Sequence, residues 1–342
     1  MLRLFLASAV MVEHVPVVIN GLGSPLIAAN GWSIGYAAVN GFFILSGFLI
    51  ADSLERRRDL ATYAASRILR IMPALVVLAL LAVLVIGPLF TTVEPQAYWR
   101  SLATWGYVPN VVFFLDTSGA PEGLFATNPA PGEFSATLWT LRYEVIAYIG
   151  AAVLFFTGFA WRRTVLTALF IVMAFAHAGI MMAWPDGPAL LVNLFRLGAA
   201  FLVGMSVYAW RDRLPLLPVA ALVAGPVWFL SGDHPAAEIL LNIALASGLF
   251  WLAFSKRLGP TFSRMPDWSY GIYIWHYPLF QILWFTGVAR GETLLVAVGI
   301  PATLLVSALS WHLIERPSLA RKADFGRWLS GRPRTGADEG RT

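Results

Sequence analysis

Residues 71–90 read IMPALVVLALLAVLVIGPLF, an apolar run of twenty residues without one charged side chain. An α-helix needs about 20 predominantly apolar residues to cross the hydrocarbon core of a bilayer. A helix that is apolar on all sides has no face for water, so it belongs in a large protein core or in lipid. The segment therefore predicts a membrane-spanning helix, provided that the rest of the chain has the same character.

The composition of the whole chain favours lipid. Of its 342 residues, 58% are hydrophobic and 13% are charged, and the mean hydropathy is +0.70. A soluble domain carries about 25% charged residues, so this chain has too little polar surface for a water-facing globule. The sequence contains no cysteine, which excludes thiolate catalysis, disulfides and thiolate metal sites. No metal site is predicted.

Ten segments have the length and the apolar character of membrane-spanning helices. They comprise residues 2–20, 33–51, 71–90, 138–157, 164–184, 189–210, 214–231, 237–255, 269–289 and 293–314. The sequence thus predicts an all-α, polytopic transmembrane bundle of about ten spans over residues 1–317. A basic tail follows at residues 318–342, and its end, residues 331–342, is expected to be disordered.

The basic residues alternate between two sets of connections. Twenty lie in the tail, near the N-terminus or in every second loop, whereas the opposite loops hold only Arg100 and Arg290. Because loops rich in arginine and lysine stay in the cytoplasm, this pattern predicts that both termini are cytoplasmic. The basic charge then faces anionic membrane lipid, and no nucleic-acid partner is predicted.

One loop on the opposite side is unusually long. Residues 91–137 are rich in proline, glycine and aromatic residues. Loops of this length are usually functional or disordered. We expect this one to be a lid or an acceptor-binding loop.

His14 lies inside the first predicted span, eleven residues after Arg3. Ionisable residues within spans are costly and usually face a cavity. At about 100° per residue, this spacing puts both side chains on one face of a helix, about 16 Å apart along its axis. An arginine at a helix end is often a headgroup anchor, but anchoring does not explain the histidine.

The depth of Glu144 makes it a candidate partner of His14. If the spans are straight and untilted, both residues lie about 10 Å from the outer edge of a core about 30 Å thick. A carboxylate at that position would orient the ring as a general base for a hydroxyl. Two unrelated residues on separate helices explain the facts equally well. Arg196 is predicted to form an internal ion pair with Glu144 or Glu13.

Arg67 and Arg70 are neighbours on one helix face before Pro73, which starts or kinks the third span. Two forked guanidinium groups suit phosphate. Taken alone, however, the pair is better explained as a cytoplasmic anchor of the positive-inside kind.

Together these segments resemble the acyltransferase-3 family of integral-membrane acyltransferases, from Arg3 to about Pro317. The motifs are, in chain order, Arg3 with His14, GFFILSGFLI at 41–50, Arg67-x-x-Arg70-x-x-Pro73, LWTL at 138–141 with Glu144 and Tyr148, SYGIYIWHYP at 269–278, and Glu315-Arg316-Pro317. It is their shared order that carries the resemblance. The chain departs from the family pattern at Asn40, since many members carry an acid just before the Phe-Phe pair.

The resemblance implies an O-acyltransferase of the bacterial inner membrane that uses cytoplasmic acyl-CoA, most commonly acetyl-CoA, and no bound cofactor. The implied acceptor is a hydroxyl of a periplasmic or lipid-linked glycan. His14 and Glu144 are the catalytic candidates, with His14 as a general base or as a transient acyl carrier. The substrate-binding candidates are Arg3, Arg67, Arg70, Ser46, Trp139, Arg142, Trp275 and His276. For His276, a place in the donor channel and simple packing are equally supported.

Two other functions fit a polytopic bundle with buried charges. A transporter or flippase of a glycan or lipid also needs a cavity and about ten spans, but it does not need Arg3 and His14 at this spacing. A scaffold in a polysaccharide-export complex needs no reactive histidine. Turnover of acyl-CoA to free CoA separates the enzyme from the transporter, and loss of function in His14→Ala separates it from the scaffold.

Overall fold

The computed structural model describes residues 1–21, 32–159, 162–213, 218–232, 234–254 and 266–331. Within these ranges the regular structure is helical, with one isolated β-bridge between Thr91 and Leu124. The helices are α1 (Leu2–Asn20), α2 (Ile34–Arg57), α3 (Leu60–Leu81), α4 (Gly87–Phe90), α5 (Pro95–Arg100), α6 (Leu102–Val112), α7 (Trp139–Phe156), α8 (Arg163–Ala183), α9 (Ala189–Trp210), α10 (Pro218–Leu230), α11 (Ala237–Phe254), α12 (Ser269–Phe285), α13 (Glu292–Ser310), α14 (Arg316–Ala320) and α15 (Lys322–Ser330).

The predicted all-α, polytopic bundle is confirmed. Eight of the predicted spans are helices long and apolar enough to cross a membrane. The other two are the shorter helices α10, with 13 residues, and α12, with 17 residues. Two π-helical turns, Ala82–Ile86 and Trp311–Glu315, lengthen α3 and α13. Of the predicted disordered end of the tail, residues 331–342, only Gly331 is described, as the residue that ends α15, and residues 332–342 lie outside the described residues.

Two glycines permit a close crossing of α2 and α9. A Cβ atom at Gly47 would lie 2.0 Å from the carbonyl oxygen of Phe201, and one at Gly204 would lie 2.0 Å from that of Ile44. Small residues at such positions let two helix backbones approach closely within a membrane. Gly47, in the GFFILSGFLI segment, therefore has a packing role.

The segment between α6 and α7 runs beside α12 instead of staying outside the bundle. Asn128 donates to the side chain of Gln281 at 2.8 Å, and Gln281 donates to the carbonyl of Ala130 at 2.8 Å. Further along the segment, Thr137 donates to the carbonyl of Tyr273 at 2.9 Å. Gln281 and Tyr273 are eight residues apart on α12, so the segment follows that helix for about 12 Å. Irregular backbone is tolerated at such depth where it is buried in protein.

This path changes the position of α7. The helix begins beside Tyr273, because Thr140 in its first turn lies 2.7 Å from the hydroxyl of Tyr273. Tyr273 is only four residues from the start of α12. The fourth predicted span therefore begins near the end of the bundle at which α12 begins, and Glu144 does not lie at the level of His14, as the count along straight, untilted spans had predicted.

Candidate active site

His14 on α1 pairs with His276 on α12. Nδ1 of His14 lies 3.0 Å from Nε2 of His276, and the ring centroids are 5.1 Å apart. His276 is fully buried, whereas His14 is partly exposed. The sequence proposed both residues but did not predict that they touch, since 262 positions separate them along the chain.

Two carbonyl groups decide which nitrogens of this pair carry protons. Nδ1 of His276 lies 2.7 Å from the carbonyl oxygen of Ile272, which can only accept, so this nitrogen carries the proton. In a neutral ring, Nε2 of His276 then accepts from Nδ1–H of His14, which also points at the Val10 carbonyl at 2.9 Å. Nε2 of His14 is left with a free lone pair, and it makes no hydrogen bond to the described part of the chain. The lone pair of a neutral imidazole nitrogen can accept the proton of an attacking hydroxyl.

Glu144 does not join this pair. Its carboxylate accepts a hydrogen bond from the Tyr148 hydroxyl, one turn later on α7. It lines a narrow cavity together with Arg3, Ser46 and Tyr270. Tyr270 is six residues before His276 on α12, an axial distance of about 9 Å. Of the two alternatives that the sequence left open, the structure favours unrelated residues on separate helices, because α7 lies nearer to the first turn of α12.

The cavity beside Glu144 brings Arg3 and Ser46 together, as two of the predicted substrate-binding residues. The Arg3 guanidinium lies 5.9 Å from the centre of the Phe42 ring. Its Nε is buried and has no hydrogen-bond partner among the described residues. An unpaired buried donor usually marks a ligand, an ion or a water position. The guanidinium of Arg3 in this cavity is therefore able to bind an anionic group of a ligand.

Arg70 and Arg67 differ in their surroundings. Arg70 is buried and binds two carboxylates, Asp267 at 2.7 Å and Glu315 at 3.4 Å. Burial alone would raise the pKa of Asp267, but Arg3 and Arg70 hold that pKa below its usual range. The guanidinium of Arg70 is thus bound to two carboxylates of the protein and is not free to bind phosphate in a bidentate manner. Arg67 instead lies 5.5 Å above the Tyr148 ring.

Replacing Arg70 by alanine is expected to lower the stability of the bundle. Glu315 has a side chain that is only 1% exposed, and it would lose its nearest cation. Breaking a buried ion pair from one side costs about 3–5 kcal/mol. The measurement is the melting temperature in detergent, with Arg316→Ala as the control, because the neighbouring Arg316 is exposed. Unchanged melting with a raised KM for acyl-CoA would instead restore the phosphate-binding role of Arg70.

The remaining substrate-binding candidates have contacts within the protein. Arg142 donates to the carbonyls of Phe114 and Leu115 at 2.9 and 2.7 Å and so fixes the start of the segment beside α12. Trp139 packs edge-on against Tyr143 at 5.8 Å. Trp275 is buried, and its indole nitrogen has no partner among the described residues. None of the three lines the cavity that contains Arg3.

Arg196 belongs to a second buried network, near the start of α2. It lies 3.9 Å from Glu238 on α11 and donates to the side chain of Asn40 at 3.1 Å. The predicted pairing of Arg196 with Glu144 or Glu13 is therefore wrong. Glu13 instead accepts from the Ser33 hydroxyl at 2.6 Å, at the start of α2. Asn40, where many family members carry an acid, here contacts the carboxylate of Glu238.

The site also contains residues that the sequence did not identify. Tyr277 packs edge-on against His14 with ring centroids 5.3 Å apart. Asp267 completes the Arg70 cluster just before α12. Their signal was weak because Tyr277 is one of several aromatic residues in the 269–278 motif, and Asp267 lay outside every predicted span.

Comparison with known proteins gives the same family as the motifs. The model of the acyltransferase-3 family, described as an acyltransferase domain, matches residues 1–312. Nodulation protein 10 of Rhizobium leguminosarum bv. viciae is 29% identical over 93% of this chain and 92% of its own. The O-acetyl transferase of Shigella phage Sf6 is 25% identical, over 94% of this chain and 95% of its own.

A third relative is the exopolysaccharide production protein ExoZ of Rhizobium meliloti (strain 1021). It is 30% identical over 85% of this chain and 91% of its own. No solved structure matches. The family match covers the helices that hold His14, His276 and the Arg3 cavity, and it includes Arg70 and Asp267 but ends before Glu315. The chain therefore belongs to the acyltransferase-3 family and is a multi-pass membrane acyltransferase.

Proposed function

We propose that this protein transfers an acyl group, most simply acetyl, from cytoplasmic acyl-CoA to a hydroxyl of a glycan on the other side of the bacterial inner membrane. The observation that carries the proposal is the free lone pair on Nε2 of His14, held in place by His276 and Val10. Two relatives are named as an O-acetyl transferase and as an exopolysaccharide production protein, which supports a polysaccharide acceptor.

In the proposed reaction the acceptor oxygen attacks the thioester carbonyl carbon, and Nε2 of His14 takes the hydroxyl proton. The new C–O bond forms as the C–S bond breaks, and the proton then passes from His14 to the CoA thiolate. During this step His14 becomes an imidazolium, whose Nδ1–H is shared between the Val10 carbonyl and Nε2 of His276. The two acceptors stabilise that charge and keep the ring in one orientation.

The donor is proposed to enter from the side of Arg3. Arg3 and His14 share one helix and differ by about 16 Å in axial position. A CoA phosphate at Arg3 would allow the pantetheine arm to follow α1, so that the thioester reaches His14. Glu144 and Ser46 line the cavity beside Arg3, and they are proposed to contact this arm rather than the reacting atoms.

Arg3→Ala is expected to raise the KM for acetyl-CoA about tenfold with a smaller change in kcat. A charged hydrogen bond is worth about 1.5–3 kcal/mol, and tenfold corresponds to about 1.4 kcal/mol. The measurement is the rate of CoA release at varied acetyl-CoA concentration in nanodiscs. Arg290→Ala is the control, since Arg290 is exposed and does not line the cavity. An unchanged KM would mean that Arg3 is only an anchor.

The first test of the proposed function uses the purified full-length protein in nanodiscs. We would measure acetyl-CoA binding, CoA release and transfer of acetyl groups to methyl glycosides of glucose, galactose, mannose and rhamnose. Binding of acetyl-CoA together with release of CoA supports the acyltransferase. If the protein neither binds acetyl-CoA nor releases CoA, the acyl-CoA donor is wrong.

A further inference from the structure

Several buried polar atoms have no hydrogen-bond partner among the described residues, and three of these atoms are oxygens on segment 128–134 or on the stretch of α12 beside it. They are Oδ1 of Asn128, Oε2 of Glu133 and the hydroxyl of Tyr277. Nearly all buried polar groups in proteins are paired, so each exception needs an explanation. Three exceptions in one part of the structure point to a shared partner that the chain itself does not supply.

These residues lie around His14 because of how the segment before α7 packs. Tyr277 is fully buried and touches the His14 ring edge-on, at 5.3 Å between centroids. The Glu133 carboxylate lies close enough to act electrostatically on the Tyr277 hydroxyl. The two groups nevertheless do not form a hydrogen bond with each other. Gln281, one turn after Tyr277, holds the segment by donating to Ala130.

The same segment contacts the end of α1. A Cβ atom at Gly21 would lie 3.1 Å from the carbonyl oxygen of Pro129. Segment 128–134 therefore bridges the outer ends of α1 and α12, the two helices that carry the histidine pair. Pro131 and Gly132 at its tip are exposed, and a Cβ atom at Gly132 would meet nothing within 4 Å. The tip thus faces open space, and an entering ligand would pass it because the three oxygens are closed over.

The hydrogen-bonding capacity of the three oxygens indicates which chemical class of ligand they would bind. A carboxylate and an amide oxygen only accept hydrogen bonds, whereas a tyrosine hydroxyl accepts or donates. The complementary ligand therefore offers several donors and at least one acceptor at short spacing. Neighbouring hydroxyls of a pyranose have that pattern. Burial raises the pKa of Glu133, which indicates that its carboxylate lacks compensating donors.

We infer that Glu133, Tyr277 and Asn128 form the acceptor subsite for a hexopyranoside and hold one of its hydroxyls toward Nε2 of His14. This inference rests on the proposed acyltransferase function and specifies its acceptor. Glu133 accepts from a hydroxyl adjacent to the reacting one, and the Tyr277 hydroxyl bonds a second sugar oxygen. The sugar reaches this subsite from the outer side past the exposed tip of the segment, Pro131 and Gly132.

The test uses Glu133→Gln and Tyr277→Phe, which remove one charge or one hydroxyl and keep the side-chain shape. In nanodiscs, the acetyl-CoA dissociation constant is measured alongside the KM for the methyl glycosides of glucose, galactose, mannose and rhamnose. We expect each variant to raise the KM of the best glycoside about tenfold while the acetyl-CoA dissociation constant stays within twofold. The control is Glu94→Gln, because Glu94 is exposed elsewhere on the same outer loop.

The outcomes separate this inference from the proposed function. If wild type binds acetyl-CoA and acetylates a glycoside, but both variants keep its KM within twofold, the subsite is wrong and the function stands. If wild type binds acetyl-CoA and acetylates none of the four glycosides, the hexopyranoside subsite is also overturned. A wild-type protein that does not bind acetyl-CoA overturns the proposed function first. If a variant fails to fold, the other variant decides the matter.

Discussion

Replacing His14 by glutamine is expected to lower the rate of acetyl transfer about 10³-fold while the protein stays folded. Glutamine keeps a hydrogen-bond donor that can reach the Val10 carbonyl or His276, but it has no nitrogen able to take a proton near neutral pH. General base catalysis contributes about 10²- to 10⁴-fold. The measurement is the single-turnover rate of acetyl transfer in nanodiscs, together with the melting temperature.

His312→Gln is the matched control for this variant. His312 lies in another long apolar helix, but its side chain is exposed and the same substitution should leave the rate unchanged. His276→Gln should lose less activity than His276→Leu, since glutamine can still accept from Nδ1–H of His14. Retained transfer in His14→Gln would remove the histidine from the reaction.

Replacing Gly47 by alanine is expected to destabilise the bundle strongly, because it adds a methyl group where α2 and α9 approach closely. The new Cβ would lie 2.0 Å from the carbonyl oxygen of Phe201, a backbone atom that cannot rotate away. Overpacking a well-packed core costs about 1–3 kcal/mol and sometimes more, and separating α2 from α9 would place this change at the upper end. The measurement is the melting temperature in detergent, with the yield of monodisperse protein.

Gly179→Ala is the control for this substitution. Gly179 is also inside a predicted span, on α8, but a Cβ atom there would meet nothing within 4 Å. Since alanine is favoured over glycine within a helix by about 1 kcal/mol, this variant should match wild type or exceed it. Equal melting of the two variants would show that α2 and α9 can shift apart at little cost.

The spans were predictable from sequence because length and hydropathy are local properties of the chain. The two weakest cases were α10 and α12, which are shorter than the other spans. Motif order identified the family for a similar reason, since each motif is read within one segment. Length, hydropathy and motif order therefore predicted the helices and the candidate residues, but they did not predict which side chains contact those residues.

The contacts depended on which helices are adjacent, and a sequence without an alignment carries no rule for that. His14 meets His276 across 262 positions, and Arg70 meets Glu315 across 245. The level of Glu144 relative to His14 was also misjudged. The count along the span assumed that α7 starts at the end of the bundle opposite to the start of α12, whereas α7 starts beside Tyr273. Glu238, the partner of Arg196, was missed because it lies at the very start of its predicted span.

The irregular segment beside α12 has a consequence for how the protein can diversify. Segment 128–134 is held by hydrogen bonds to Gln281 and by the buried ring of Phe134, which packs against Tyr107 on α6, whereas Pro131 and Gly132 at its tip are exposed. Substitutions at this tip can alter the surface above His14 without repacking any helix. New acceptor preferences can therefore arise by exchange of a short loop, while the reactive histidine pair and the donor cavity stay as they are.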